Sequence, residues 1–289
     1  DIKNFEYNSD KNILVGFDEN GNYSIWKDNV IVENNLSYGG GMPSEFKFLR
    51  DGSKIIANSH DNQTIKIIDL MPNVITKQIN GRILANSSDF SHMLLFDGND
   101  ILISGDHGIT SKKIMLDEIK IYGVDLNNSS HKVSNNGRYY ATIGYNEGSE
   151  SKDAKLIVEL YDMQNNISRQ AIINKRLSLM CFTDDSKKLL LLNNKEGLNV
   201  YDTENLNLLK NYSDIKEDSG NMILSKDSKI LVLNSYVGIA YVYNLDTGEH
   251  IEDIPGEVVY VENSNDEIKL KGIKNNYVFT WSSKNGLNS

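Results

Sequence analysis

Residues 46–70, FKFLRDGSKIIANSHDNQTIKIIDL, set out the hydrophobic pattern on which the chain is built. An apolar run at 46–49 alternates around Lys47. The turn Arg50-Asp51-Gly52-Ser53 follows, and residues 54–58 form a second run. A polar loop at 59–63 leads to a third run at 64–68, closed by Asp69. Asp-Gly between two apolar runs predicts a hairpin, because the turn needs φ > 0 and Gly supplies it without steric cost. Ile55, Ile56, Ile65, Ile67 and Ile68 are β-branched and suit a pleated surface. Thr64-Ile65-Lys66-Ile67 alternates with period two, which predicts one buried and one solvated face. Asp69 is read as a strand terminator whose carboxylate accepts local backbone N–H groups, so its acidity calls for no chemistry.

The pattern recurs along the whole chain. Aligned on the turn between the first two runs, its anchors are Asp10, Asp51, Asp89, Asn136, Asp185, Asp227 and Asn265, with steps of 41, 38, 47, 49, 42 and 38 residues. The third runs align as well: Tyr23-Ser24-Ile25-Trp26, Ile67-Ile68-Asp69, Leu160-Tyr161-Asp162, Val200-Tyr201-Asp202, Val242-Tyr243-Asn244 and Phe279-Thr280-Trp281. A repeat of roughly 40–45 residues with four short strands is the signature of a propeller blade. The expected fold is all-β, a seven-bladed β-propeller of four-stranded antiparallel blades. Its blades are placed at about 1–36, 43–80, 81–128, 129–174, 175–212, 218–255 and 256–289, as one domain.

On these residues the chain resembles the WD-repeat propellers, in a degenerate form. The Gly-His pair that often opens such repeats is absent. Trp-Asp is replaced by Ile68-Asp69, Tyr161-Asp162, Tyr201-Asp202 and Tyr243-Asn244. The resemblance covers essentially the full length and implies a rigid platform for partners, since few members of that family are enzymes.

Several stretches test this reading. Asp18-Glu19-Asn20-Gly21-Asn22 has oxygen-rich spacing, but its Gly is misplaced for a calcium loop and Asn29 stands where Glu is needed, so Asn20-Gly21 is taken as a hairpin turn. Gly39-Gly40-Gly41 lacks the following helix and Lys-Ser/Thr of a phosphate loop and is taken as a flexible connector. Asp97, Asp100, Asp106 and His107 cluster without ligand spacing, and no metal is expected there. Residues 109–122 must supply the last strand of the third unit and leave a surplus. The polar segment 145–155 is a long loop of the kind that carries function on a rigid scaffold. The last unit lacks a clear fourth strand, so a short closing strand is expected from residues 1–4 or 284–289.

Composition narrows the partners. A net charge of −10 with five arginines argues against nucleic acid, whose phosphates need Lys and Arg, and against anionic membrane surfaces. No apolar run is long enough to span a bilayer. The single cysteine, Cys181, excludes an internal disulfide and is read as a small core residue. The chain begins at Asp1 without Met, which is read as a processed or excised chain. The compartment stays open, with cytoplasm preferred, and a monomer is expected. The Asn-x-Ser/Thr triplets follow from an Asn-rich composition and are not read as glycosylation sites.

No catalytic motif is present: the five histidines are scattered and Gly-x-Ser-x-Gly is missing. No cofactor is expected. The chain is therefore read as a non-catalytic interaction platform or sensor module, with membership in a larger protein left open. The alternative is a propeller hydrolase or small-ligand binder using an axial pocket assembled from several blades. Second-to-third strand connections and the links between units share one face, which places Tyr38, His60, Asp61, Tyr145, Glu147, Glu150, Asn194, Glu196, Tyr236 and Asn275 as candidate contacts for a protein or peptide partner of basic character.

Overall fold

A computed structural model describes residues 2–28, 30–49, 52–59, 64–70, 74–87, 92–96, 101–105, 108–114, 131–145, 156–173, 179–193, 196–215, 219–264, 267–274 and 277–288. Among them there is no helix, and the strands form four-stranded antiparallel meanders. The first sheet holds β1 (Ile2–Asn8), β2 (Ile13–Asp18), β3 (Asn22–Lys27) and β4 (Val30–Ser37). The second holds β5 (Glu45–Phe48), β6 (Lys54–Asn58), β7 (Thr64–Asp69) and β8 (Val74–Asn80). The third holds β9 (Arg82–Asn86), β10 (Met93–Phe96), β11 (Ile101–Gly105) and β12 (Gly108–Ile114). The fourth holds β13 (His131–Val133), β14 (Tyr139–Tyr145), β15 (Leu156–Asp162) and β16 (Ile167–Ile173). The fifth holds β17 (Leu179–Phe182), β18 (Lys188–Asn193), β19 (Gly197–Asp202) and β20 (Leu208–Tyr212). The sixth holds β21 (Ser219–Leu224), β22 (Ile230–Ser235), β23 (Ile239–Asn244) and β24 (His250–Pro255). The seventh holds β25 (Glu257–Ser264), β26 (Glu267–Lys274), β27 (Tyr277–Ser282) and β28 (Gly286–Asn288).

The fourth strand of the seventh sheet comes from the C-terminal residues: Trp281 pairs with Leu287 and Ser282 with Gly286. In the third sheet the strand sought at 109–122 is β12, paired to β11 from Ile101↔Ile114 to Gly105↔Gly108. The acidic group Asp97, Asp100, Asp106 and His107 lies outside the described residues, as do Asp51, Asp89 and Asn265 among the repeat anchors and most of the segment 145–155.

The chain divides into two compact units, Asp1–Leu84 with Asp89–Ile114, and Ala85–Ser88 with Met115–Ser289. In both, the first strands of neighbouring sheets lie together, β1 with β5 in one and β13, β17, β21 and β25 in succession in the other. Each hydrophobic cluster is shared by two consecutive sheets. Leu189 and Leu191 pack towards the fourth sheet with Tyr139, Val158 and Leu160, whereas Leu190 and Leu192 pack towards the sixth with Leu231, Leu233 and Tyr243. Val232 turns the other way, to the seventh sheet with Leu270, Phe279 and Trp281. Period-two alternation thus persists, but both faces are apolar, so the sequence reads as an unbroken run. Cys181 packs partly buried in the cluster of the fifth and sixth sheets, and burial pushes its thiol up to about 12.

The first unit is centred on aromatic rings. Phe17 stacks on Tyr23 at 5.0 Å between centroids, meets Phe46 at 4.5 Å and takes Tyr38 edge-on at 5.8 Å. Three sequence expectations are corrected here. Tyr38, expected on an exposed face, is 1 % exposed; its hydroxyl donates to the Ala57 carbonyl at 3.2 Å. Lys66, expected on a solvated face of β7, is buried, because its ammonium donates to the carbonyls of Tyr38 at 2.8 Å and Gly39 at 3.3 Å and lies 4.3 Å above the Tyr38 ring. Ile65 and Ile67 face the third sheet, and Ile68 faces the first. The glycine-rich segment is also more constrained than a flexible connector. Tyr38 N–H donates to Gly21 O at 3.1 Å, and a Cβ on Gly21 would stand 2.3 Å from Gly40 O. The Asn20-Gly21 hairpin therefore presses backbone against backbone, with Gly21 at φ +79°.

The turn used as repeat anchor has one construction in three consecutive sheets. Ser134, Thr183 and Ser225 each donate a hydroxyl hydrogen bond two residues onward, to Asn136 at 2.7 Å, Asp185 at 2.7 Å and Asp227 at 2.5 Å. The same hydroxyls accept from the N–H of Tyr139 at 2.8 Å, Lys188 at 3.0 Å and Ile230 at 3.0 Å. Gly137, Ser186 and Ser228 then take φ of +67°, +60° and +57°. Neighbouring turns are tied together: Asn135 donates to Asp184 at 2.7 Å, Asp184 N–H to the Ser228 hydroxyl at 3.2 Å, and Asn263 to Asp227 at 2.8 Å.

The contrast between two glycines tests the backbone contact. Gly21→Ala combines left-handed strain with a clash against carbonyl oxygen and is expected to cost about 2 kcal/mol or more in urea unfolding. Gly40→Ala, with nothing within 4 Å of its Cβ position, is expected to change stability by less than about 0.5 kcal/mol.

Candidate partner-binding face

In an antiparallel meander the second-to-third connection and the link to the next sheet fall at the same end of the strands. In the larger unit this end carries the turn Ser235–Gly238, the link Pro255–Glu257 and the connection from Lys274 to Tyr277. Hydrogen bonds join them into one surface. Gly238 N–H donates to Ser235 O at 3.2 Å, Ile239 N–H to the Ser235 hydroxyl at 3.2 Å, and Gly256 N–H to Gly238 O at 2.9 Å. The buried Asn234 amide grips the next sheet, its Nδ2 donating to Val258 O at 2.7 Å and its Oδ1 accepting from Val258 N–H at 2.9 Å. Glu257 then pairs with Ile273, and Lys274 with Tyr277.

Apolar side chains stand in water on this surface. Tyr236 is 77 % exposed, Val237 76 %, Tyr277 75 % and Val278 45 %. The Tyr236 ring lies over Gly220 in β21, where a Cβ would come within 2.9 Å of its Cε1. Glu257 on the link is exposed, as are Asp253 in β24 and Lys274 in β26. Asp253 accepts from His250 Nε2 at 2.7 Å.

Of the contacts expected from sequence, Tyr236 lies on this surface. Glu196 lies at the corresponding end of the fifth sheet, half-buried, its N–H on the Asn193 carbonyl at 3.2 Å and its carbonyl accepting from Asn211 at 3.3 Å. Tyr145 is the last residue of β14, and Tyr38 is in the core. His60, Asp61, Glu147, Glu150, Asn194 and Asn275 lie outside the described residues. Val237, Tyr277, Val278 and the clamp Asn234 were not foreseen. A partial signal existed: both junctions read Asn-x-Tyr-Val, at 234–237 and 275–278, and at 236–237 the apolar pair stands in a turn, which ordinarily carries polar residues, while at 277–278 it opens β27.

Among the described residues, Asp18, Asp162 and Asp202 use their carboxylates to hold structure, and the Asn244 amide does the same. Asp18 Oδ1 accepts from the N–H of Asn20 at 2.9 Å and of Asn22 at 2.8 Å, which accounts for the oxygen-rich hairpin. Asp202 and Asn244, each closing a third strand, accept from the second and third N–H groups beyond them. Asp162, fully buried, does the same for Gln164 and Asn165 and holds Arg138 through Nε at 3.1 Å and Nη2 at 2.7 Å. Burial raises the Asp162 carboxyl, but the guanidinium and the local N–H donors outweigh it and hold it at about 2. Among the described residues no group of three His, Cys, Asp or Glu could hold a metal ion, and no helix is long and apolar enough to cross a membrane.

No family model matches the chain, and no curated protein matches it by sequence. Among solved structures it is similar to the β-propeller domain of Myceliophteria thermophila Cps50 (Swd1), at a TM-score of 0.65 and 10 % identity over 96 % of this chain and 95 % of that one. At that identity the likeness speaks for the fold, and the fold of the chain is a β-propeller.

The Asp162 carboxyl makes a pH-dependent contribution to stability. Its folded value lies below the ordinary 3.8, so the stabilisation is complete above that value and is lost as pH falls towards 2. Asp162→Asn is expected to cost on the order of 2 kcal/mol at pH 7, with the gap to wild type narrowing between pH 4 and pH 2, as read by urea unfolding at each pH.

Proposed function

We propose that the chain is a seven-bladed, WD-like propeller that serves as a non-catalytic platform for a protein or peptide partner. One observation carries this reading: four large apolar side chains, Tyr236, Val237, Tyr277 and Val278, are held in water at neighbouring hydrogen-bonded connections. Aromatic side chains on a rigid base supply contact area at low entropic cost, which is how interface anchors act. The carboxyls of Asp162, Asp185 and Asp227, held below their ordinary value by hydrogen bonds, sit in turns and serve the fold, which favours a binding role over the hydrolase alternative.

The test uses the purified chain as bait against an extract of its source cells. It is compared with Tyr236→Ser/Tyr277→Ser and with a control, Leu208→Ser/Leu209→Ser, which removes exposed leucines from β20. A partner retained by wild type and control but lost by the tyrosine variant, with hydrogen-exchange protection at 235–238, is the expected result. Retention of the same proteins by all three chains overturns the assignment of this face.

A further inference from the structure

Resting on the platform reading, we propose that the surface formed by Tyr236, Val237, Tyr277 and Val278 docks an extended peptide segment in which apolar side chains are flanked by lysine or arginine. The apolar part of the argument is geometric. The Ser235–Gly238 turn is bonded to Gly256, the Asn234 amide holds Val258 on both its polar groups, and Glu257 sits opposite Ile273, one residue from Lys274 and its partner Tyr277. The two Tyr-Val pairs are thus mounted on adjoining sheets of one unit through backbone and buried amide contacts. Gly220 leaves room for the Tyr236 ring to lie against β21 rather than swing free. An extended segment crossing from one pair to the other would meet the backbone of the Pro255–Glu257 link between them.

The charged part selects the occupant. Glu257 lies on the link between the two pairs, and Asp253 lies two residues before Pro255 on the strand beside β23; both are exposed. Lys274 is a described cation at this edge, and Asp253 is bonded to His250 Nε2 at 2.7 Å, so Glu257 is the carboxylate that faces the segment most directly. A second copy of this chain, with its net charge of −10, would bring acidic surface against acidic surface, a juxtaposition that disfavours association. A cationic segment would instead be drawn in by the same groups while its apolar residues covered the tyrosines. Rim carboxylates of this kind act mainly on association rate and salt dependence, and the buried aromatic contacts act on dissociation.

The probe is a phage-displayed library of random 12-residue peptides selected on the full chain, followed by fluorescence anisotropy on the selected peptides at low and high salt. Enrichment of Lys and Arg beside Leu, Ile, Phe or Trp is expected. Affinity should fall about tenfold or more in Tyr236→Ser/Tyr277→Ser and several-fold in Glu257→Lys, with a shallower salt dependence in the latter. Gly220→Ala displaces the Tyr236 ring at an exposed site, so it should weaken binding while leaving the unfolding midpoint near that of wild type. Selected peptides that are neutral or acidic, or that bind the tyrosine variant as tightly as wild type, overturn this partner class and leave the platform reading standing. A failure to select any peptide, together with an unchanged capture pattern in the tyrosine variant, overturns both. A dimer abolished by Tyr236→Ser in sedimentation overturns the cationic partner in favour of a second copy.

Discussion

Burial of both faces of central strands such as β6, β18 and β22 is the constraint from which the rest of this structure follows. A four-stranded meander cannot shield its own side chains, so within each unit a sheet relies on the next for a shared core. The Leu189–Leu192 run shows the arrangement within one strand: alternate leucines serve clusters on opposite sides. Removing the fifth sheet would therefore expose the facing halves of the fourth and the sixth. In such a repeat, stability is a sum of sheets and interfaces rather than of one central core. The aromatic cluster around Phe17 performs the same task between the first two sheets.

Once the faces are committed to packing, registration falls to the turns. The hydroxyl of Ser134, Thr183 or Ser225 closes its own turn and leaves the adjoining residues to reach the neighbouring sheet, as Asn135 does to Asp184 and Asp184 to Ser228. A carboxylate or amide at 136, 185 or 227 completes the device by accepting backbone N–H groups, and burial-resisting hydrogen bonds hold the Asp185 and Asp227 carboxyls below their ordinary range despite partial desolvation. The abundance of Asp and Asn in this chain thus serves geometry. At the opposite end, Asn234 plays the corresponding part for the link to the seventh sheet, and it is this bond that gives the exposed Tyr-Val pairs a fixed mounting.

The resulting division of labour separates the ends of the strands. One end is stitched by polar turns; the other carries, in the sixth and seventh sheets, apolar residues that the packing does not consume. Exposed aliphatic residues on outer strands such as β4, β16 and β20 are spread along edges and serve as a useful contrast, because they lack the convergence of two connections. Convergence, rather than exposure alone, distinguishes the Tyr236–Val278 surface.

Much of the architecture is encoded locally. Alternation, Asp-Gly and Asn-Gly turns and the strand-closing Asp residues are short-range properties, which is why the repeat spacing around Asp185 and Asp227 and the third strands ending at Asp162 and Asp202 could be read from residues alone, whereas the end of the chain that closes the last sheet was settled by the pairing of β28. Tyr236 was legible for the same reason, being placed by its position in a turn. Tyr38 and Lys66 were not, since their burial depends on each other across 28 positions of chain and on a glycine hairpin pressed against Gly40. Tyr277 and Val278 repeat the Asn-x-Tyr-Val junction of 234–237, yet they open a strand and are apolar as strand residues should be, so that pattern alone did not set them apart. Sequence by itself determined the strands, the turns and the repeat, because these depend on φ, ψ and neighbouring side chains. Tertiary structure alone decided which polar residues are buried and which two connections share a surface, because both depend on what a distant segment brings alongside.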